Sequence, residues 1–173
     1  MSRMDPLTVT LDTNAFNARK LACVKAAAGA LPVDLVRVTV TDRELETALY
    51  TKPSEGVVPE TAVWGEAQWG SAIWADETAT NLLESILYAM SGDTFPAPGK
   101  RENLTKGYRT MLRDALILET HAREGRDILV SENTKQYGKA GSPLRHQLEN
   151  LCSTRIMTVD EFCSECDRLR TST

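Results

Sequence analysis

The chain has 173 residues and a mass of 19.1 kDa, room for one domain with a continuous core and none for a second. A net charge of −4 and a pI of about 5.3 exclude a protein that grips nucleic acid with a broadly basic surface, so any phosphate contact has to be local. No basic-then-apolar leader and no apolar run of about eighteen residues is present, so a soluble, cytoplasmic protein without a membrane partner and with reduced cysteines is expected.

Leu7 to Leu11 is a short β-branched run ending at Asp12, and Ala15 to Ala28 is rich in Ala, Lys, Arg and Leu; strand, turn and helix are predicted. Leu35 to Val40 predicts a second strand, and Thr41-Asp42-Arg43-Glu44 has the spacing of a capping box opening a helix to about Tyr50. After Lys52-Pro53 the pattern loosens until Thr80 to Met90 restores a helical period, stopped by Gly92; Phe95 to Glu102 reads as loop. Tyr108 to Arg123 predicts a long helix with Met111, Ala115, Leu118 and Ala122 recurring at three and four residues, followed by a strand over Asp127 to Ser131. Ser142-Pro143 starts another helix, Arg155 to Thr158 is a fourth strand, and Thr158-Val159-Asp160-Glu161 is a second capping box opening a helix to about Leu169. This alternation predicts one α/β domain over residues 1–173, a mainly parallel sheet flanked by helices in three layers, with a tryptophan-containing insertion over about 52–105.

In an open parallel sheet, ligands collect outside the carboxyl ends of the strands. The polar residues predicted there are Asp12, Thr13 and Asn14 after the first strand, Asp42 and Glu44 after the second, and Ser131, Glu132 and Asn133 after the third. Oxygen ligands grouped in this way suit a hard cation such as Mg2+ or Mn2+, which can orient a water and offset phosphoryl charge. Each residue has an ordinary reading as well: Asp12 as a helix cap, Glu44 as the capping-box glutamate, Asp114 as a solvated helix residue. Asp114 is the most informative, because it shares a helix face with Ile117 and Leu118, where a carboxylate costs free energy unless something pairs it.

The order of these residues resembles the PIN domain family: Leu11-Asp12-Thr13-Asn14 closing the first strand, Glu44-Leu45 early in the second helix, Asp114-Ala115-Leu116-Ile117 in a later helix, and Leu129-Val130-Ser131-Glu132-Asn133 with Tyr137 after a strand. The likeness covers the first 50 residues and the chain from about Tyr108 onward; Asn133 stands at the family's fourth acidic position. The resemblance implies a ribonuclease dependent on Mg2+ or Mn2+, with Asp12, Glu44 and Asp114 positioning metal and water, and Thr13, Asn14, Ser131, Glu132 and Asn133 in support. It also implies the toxin of a toxin–antitoxin pair, with RNA as substrate, an antitoxin protein as partner and a homodimer as assembly. The contrasting reading is a PIN-like module that binds RNA or protein without cutting. An aspartyl-nucleophile phosphatase, which needs a second Asp two residues after the first, is opposed by Asn14.

Three further features have competing meanings. Trp64, Trp69 and Trp74 recur every five residues, a spacing that no regular element aligns, and are expected chiefly as core, with base stacking or partner binding as the alternative. Cys163 and Cys166 lie inside a predicted helix, which favours packing over zinc, and His121 is expected as a surface histidine. Lys100, Arg101, Lys106, Arg109 and Arg113 give the approach to Asp114 a positive bias; of these, Lys106, Arg109 and Arg113 are the candidate phosphate contacts.

Overall fold

The computed structural model describes residues 6–29, 31–46, 55–63 and 72–172. In chain order the elements are β1 (Leu7–Leu11), a 3-10 turn (Thr13–Phe16), α1 (Ala18–Ala28), β2 (Val33–Val38), α2 (Thr39–Glu46), β3 (Gly56–Val58), β4 (Glu60–Thr61) and β5 (Ala72–Ile73). There follow α3 (Glu77–Ser91), a second 3-10 turn (Pro98–Lys100) within the stretch expected as loop, α4 (Lys106–Arg123), β6 (Ile128–Val130), α5 (Thr134–Tyr137), α6 (Pro143–Cys152), β7 (Arg155–Met157) and α7 (Val159–Thr171). No described helix is long and apolar enough to cross a membrane.

The fold is α/β. Five strands form one parallel sheet in the order β3-β2-β1-β6-β7, and β4 and β5 pair separately. The chain starts in the middle of the sheet, builds outward through β2 and β3, then returns to the other side of β1. The connections leaving β1 and β6 therefore diverge, which opens a crevice beyond their carboxyl ends.

Side chains alternate across each strand and so split the core in two. Ile128 and Val130 of β6 join Val9, Leu11, Val24, Phe162 and Cys166 under α1 and α7, whereas Leu129 joins Leu83, Ile86, Leu112, Leu116 and Leu148 under α3, α4 and α6. Burying each large aliphatic or aromatic side chain contributes about 1.5–3 kcal/mol, which makes these two faces the main source of stability.

Several boundaries differ from those predicted, each for a local reason. The first helix is broken: Asp12 caps the 3-10 turn, Asn17 is non-helical, and the Asn17 side chain restarts the chain as α1 by accepting from the Arg19 N–H. β2 ends at Val38 and passes directly into α2 at Thr39. Val40 and Thr41 are fully buried within that helix, so Thr41 is no cap and Glu44 is released from the capping-box role. The end of that predicted helix, residues 47–50, lies outside the described residues.

The stretch from 52 to 105 contributes to the main fold. Gly56–Val58 adds an edge strand beside β2, and α3, capped by Asp76 and ended by Gly92 at φ 61°, buries Leu83, Ile86 and Leu87. Trp64 and Trp69 lie outside the described residues, and Trp74 is 77% exposed rather than core. Downstream the starts agree with expectation: Ser142 caps α6, and Thr158 and Glu161 form the capping box of α7.

His121 departs most from its expected surface position. It is 1% exposed, with Nδ1 2.8 Å from Thr10 Oγ1 and Nε2 2.5 Å from Thr154 Oγ1. Burial, and next the charge of Arg126, bring its pKa down to about 3, so the ring is neutral and part of the packing.

Candidate active site at the carboxyl edge of the sheet

Asp12 stands where β1 ends, and its backbone N–H donates to the Val130 carbonyl of the neighbouring strand at 3.0 Å. Only 2% of the residue is exposed. Its Oδ1 accepts from the Thr13 N–H at 2.7 Å and its Oδ2 from the Ser131 hydroxyl at 2.6 Å, so the loops after β1 and β6 both hold it. Asn14 ties the same loops together, its Oδ1 accepting from the Glu132 N–H at 2.8 Å.

Asp114 arrives from α4, which runs back from the carboxyl edge towards the start of β6. Its Oδ2 accepts from Asn133 Nδ2 at 2.9 Å, and its Oδ1 makes no hydrogen bond among the described residues. The buried Tyr137 hydroxyl donates to the Asp114 carbonyl at 2.8 Å, locking α5 to α4 beneath that contact. Glu44 comes from α2, and its Oε2 accepts from the Thr13 hydroxyl. Thr13 thus touches two of the acids, with its backbone on Asp12 and its side chain on Glu44.

The electrostatics follow from burial and crowding. Burial pushes the Asp12 carboxyl up to about 6; the charge of Glu44 adds to this, while hydrogen bonds from Ser131, Thr13 and Asn14 oppose it. Burial pushes Asp114 further, to about 8, with the charges of Asp12 and Glu44 adding and the Asn133 bond opposing. The acids are therefore close enough to raise one another, and Asp114 carries a proton at neutral pH.

As the side chains stand, no three His, Cys, Asp or Glu groups among the described residues are gathered tightly enough to hold a metal ion. The chemistry of the donor set nevertheless fits Mg2+ or Mn2+: all three side chains offer oxygen, and a bound cation would replace a proton in offsetting their repulsion. Both aspartates have folded pKa values above the ordinary 3.8. The stability this shift contributes is fully present below about pH 4 and is lost as pH rises through about 6 and then about 8. Without divalent ions, the melting temperature should fall between pH 5 and pH 8.5, and millimolar Mn2+ should raise it more at pH 8.5 than at pH 5. Identical Mn2+ effects at both pH values would count against a cation site at these carboxyls.

The remaining expected residues divide clearly. Asn133 donates its N–H to Ser131 Oγ at 3.0 Å and caps α5, which fixes the side chain that meets Asp114. The carboxylate of Glu132 is engaged elsewhere: Oε1 accepts from the Val159 N–H at 2.8 Å and Oε2 pairs with Lys20 at 3.2 Å. Asp42 is bound by the buried Arg37. Arg101 grips Glu84 through two bonds of 2.8 and 2.7 Å and lies over the Phe95 ring, so it is structural rather than phosphate-binding. Lys106 and Arg109 are exposed and Arg113 is half-buried, along one stripe of α4.

The sequence marks Tyr137 only as the aromatic of the resemblance, although an aromatic four residues after Asn133 is one helical turn away and can reach the same neighbour. No protein-family model matches the chain, and no curated protein matches it.

Proposed function

We propose that the protein is a divalent-metal-dependent ribonuclease in which Asp12, Glu44 and Asp114 hold Mg2+ or Mn2+. The observation that carries this reading is the pair of buried aspartates, both raised in pKa and one of them, Asp114, protonated at neutral pH, at the crevice where the connections from β1 and β6 diverge. When bound, the cation would supply Lewis acidity towards a phosphate oxygen of RNA. Ser131 and the Thr13 N–H orient Asp12, the Thr13 hydroxyl orients Glu44, and Asn133 orients Asp114. Lys106, Arg109 and Arg113 lie on the part of α4 that precedes Asp114, which places Lys106 about 12 Å along the helix axis from that residue. A short basic stripe there is the local phosphate contact that an acidic protein requires.

In its finer form the reading makes the protein a cytoplasmic toxin restrained by an antitoxin protein and active as a homodimer; the order of the acidic motifs supports it. The test is cleavage of total RNA by the purified protein in Mg2+ or Mn2+ against EDTA. Discrete fragments formed only with the metal are expected. Intact RNA after incubation with folded protein and Mn2+, together with retarded RNA migration, would replace the nuclease by a binding module.

A further inference from the structure

Cys23 lies on α1 and Cys163 on α7, 140 residues apart in sequence, yet their Sγ atoms are 2.8 Å apart. That is closer than two sulfurs in ordinary van der Waals contact. The helices are packed side by side, with Val24 and Ala27 of α1 and Phe162 and Cys166 of α7 buried around the pair. At the far end, Arg170 of α7 donates to the Ala26 and Ala27 carbonyls of α1, which fixes the register between the helices. Two thiols held at this distance by a rigid interface need little backbone movement to bond.

We infer that Cys23 and Cys163 form a reversible redox site, closed to a disulfide by low-molecular-weight disulfides such as oxidised glutathione and reopened by thiols. This is independent of the nuclease reading. The two sulfurs are not equivalent. Cys23 is exposed and can be reached by a soluble oxidant, whereas Cys163 is half-buried. Burial, and then Cys23 itself, pushes the Cys163 thiol up to about 12, so it is a poor first attacker. Cys152 and Cys166 are buried and their thiols are also raised, which keeps them out of the exchange.

The Cys23 thiolate attacks the small disulfide, forming a mixed disulfide and releasing one small thiolate. Cys163 then attacks the Cys23 sulfur, forming the intramolecular bond; the second small thiolate leaves, taking up the proton that Cys163 loses. Two protein thiols are oxidised and one small disulfide is reduced to two thiols. The product ties α1 to α7 and closes nearly the whole chain into a loop, which restricts the unfolded state.

The experiment uses the full chain, reduced, desalted and exposed to oxidised glutathione. Titratable thiols should fall from the four in the sequence to two, with loss of two hydrogens in mass and a cross-linked peptide containing Cys23 and Cys163. The melting temperature should rise by about 10 °C and return with dithiothreitol. Cys23→Ser, at an exposed position that tolerates the change, should abolish both effects. Four persistent thiols, a glutathione adduct that stays on Cys23 with Cys163 free, or the same thiol loss in Cys23→Ser would each overturn the inference.

Discussion

Asp114→Asn should lower metal-dependent RNA cleavage by about a thousandfold or more, with the melting temperature unchanged or raised. The activity loss follows from removing one of the three proposed metal-holding carboxylates, whose Oδ2 is held by Asn133. The stability outcome follows from the proton. Asp114 is pushed up to about 8, so the folded protein at neutral pH already holds a neutral group there. Asparagine matches its shape, can still accept from Asn133, and has no charge to be repelled by Asp12 and Glu44. A variant that cleaves at the native rate would remove Asp114 from the chemistry, and one that unfolds would show that its role is structural.

Gly138→Ala should destabilise the fold by about 3 kcal/mol or more, a fall of about 10 °C in melting temperature. Gly138 has φ 81° and ψ 157°, a region open essentially to glycine. A Cβ there would also sit 2.8 Å from the Arg145 backbone nitrogen and collide with the Ser142 hydroxyl, the cap of α6. The damage spreads because the Gly138 carbonyl accepts from Arg145 Nε at 3.1 Å, and Arg145, itself 4% exposed, holds both oxygens of Glu161. Gly92→Ala provides the comparison: its φ is 61°, but nothing lies within 4 Å of the added atom, so only about 1 kcal/mol should be lost. Denaturant unfolding of both variants separates the steric contribution from the backbone one. Equal losses would show that the Arg145 cluster absorbs the collision.

The alternation of strand and helix was legible because β-branched runs and two-sided helix caps are local signals, and α6 and α7 begin where Ser142 and Thr158 predict. Local signals failed where packing overrode them. Thr41 has a capping residue's chemistry, but β2 runs into α2 without a loop and buries it. β3 is three residues long, Gly-Val-Val, too short for alternation to register, and is a strand only because β2 offers it an edge. At the candidate site, Asp12 and Asp114 stood out because an acid at a strand end or on an apolar helix face is costly, whereas Glu44 was set apart from Asp42 only by the family resemblance. Their partners could not be assigned, since which atom of Thr13 or Ser131 meets which carboxylate depends on backbone separated by more than a hundred residues for Ser131 and Asp12. His121 was misplaced although it follows Ile117 by four residues and so shares its buried face.

That histidine also sets a height. The Thr154 hydroxyl donates to the Asp127 carbonyl at 3.0 Å, so towards the ring it can only accept, which puts the imidazole proton on Nε2 and leaves Nδ1 to receive the Thr10 hydroxyl. The chain of donors has one direction, from β1 through α4 to the turn before β7, and it tolerates no sliding of the helix. Thr10 lies on β1 two residues before Asp12, which follows the strand's end; His121 and Asp114 are two turns apart on α4, about 10 Å along its axis. The uncharged rung at Thr10 and His121 thus works as a depth stop: it sets how far α4 descends along the sheet, and with it the level at which Asp114 is presented to Asp12.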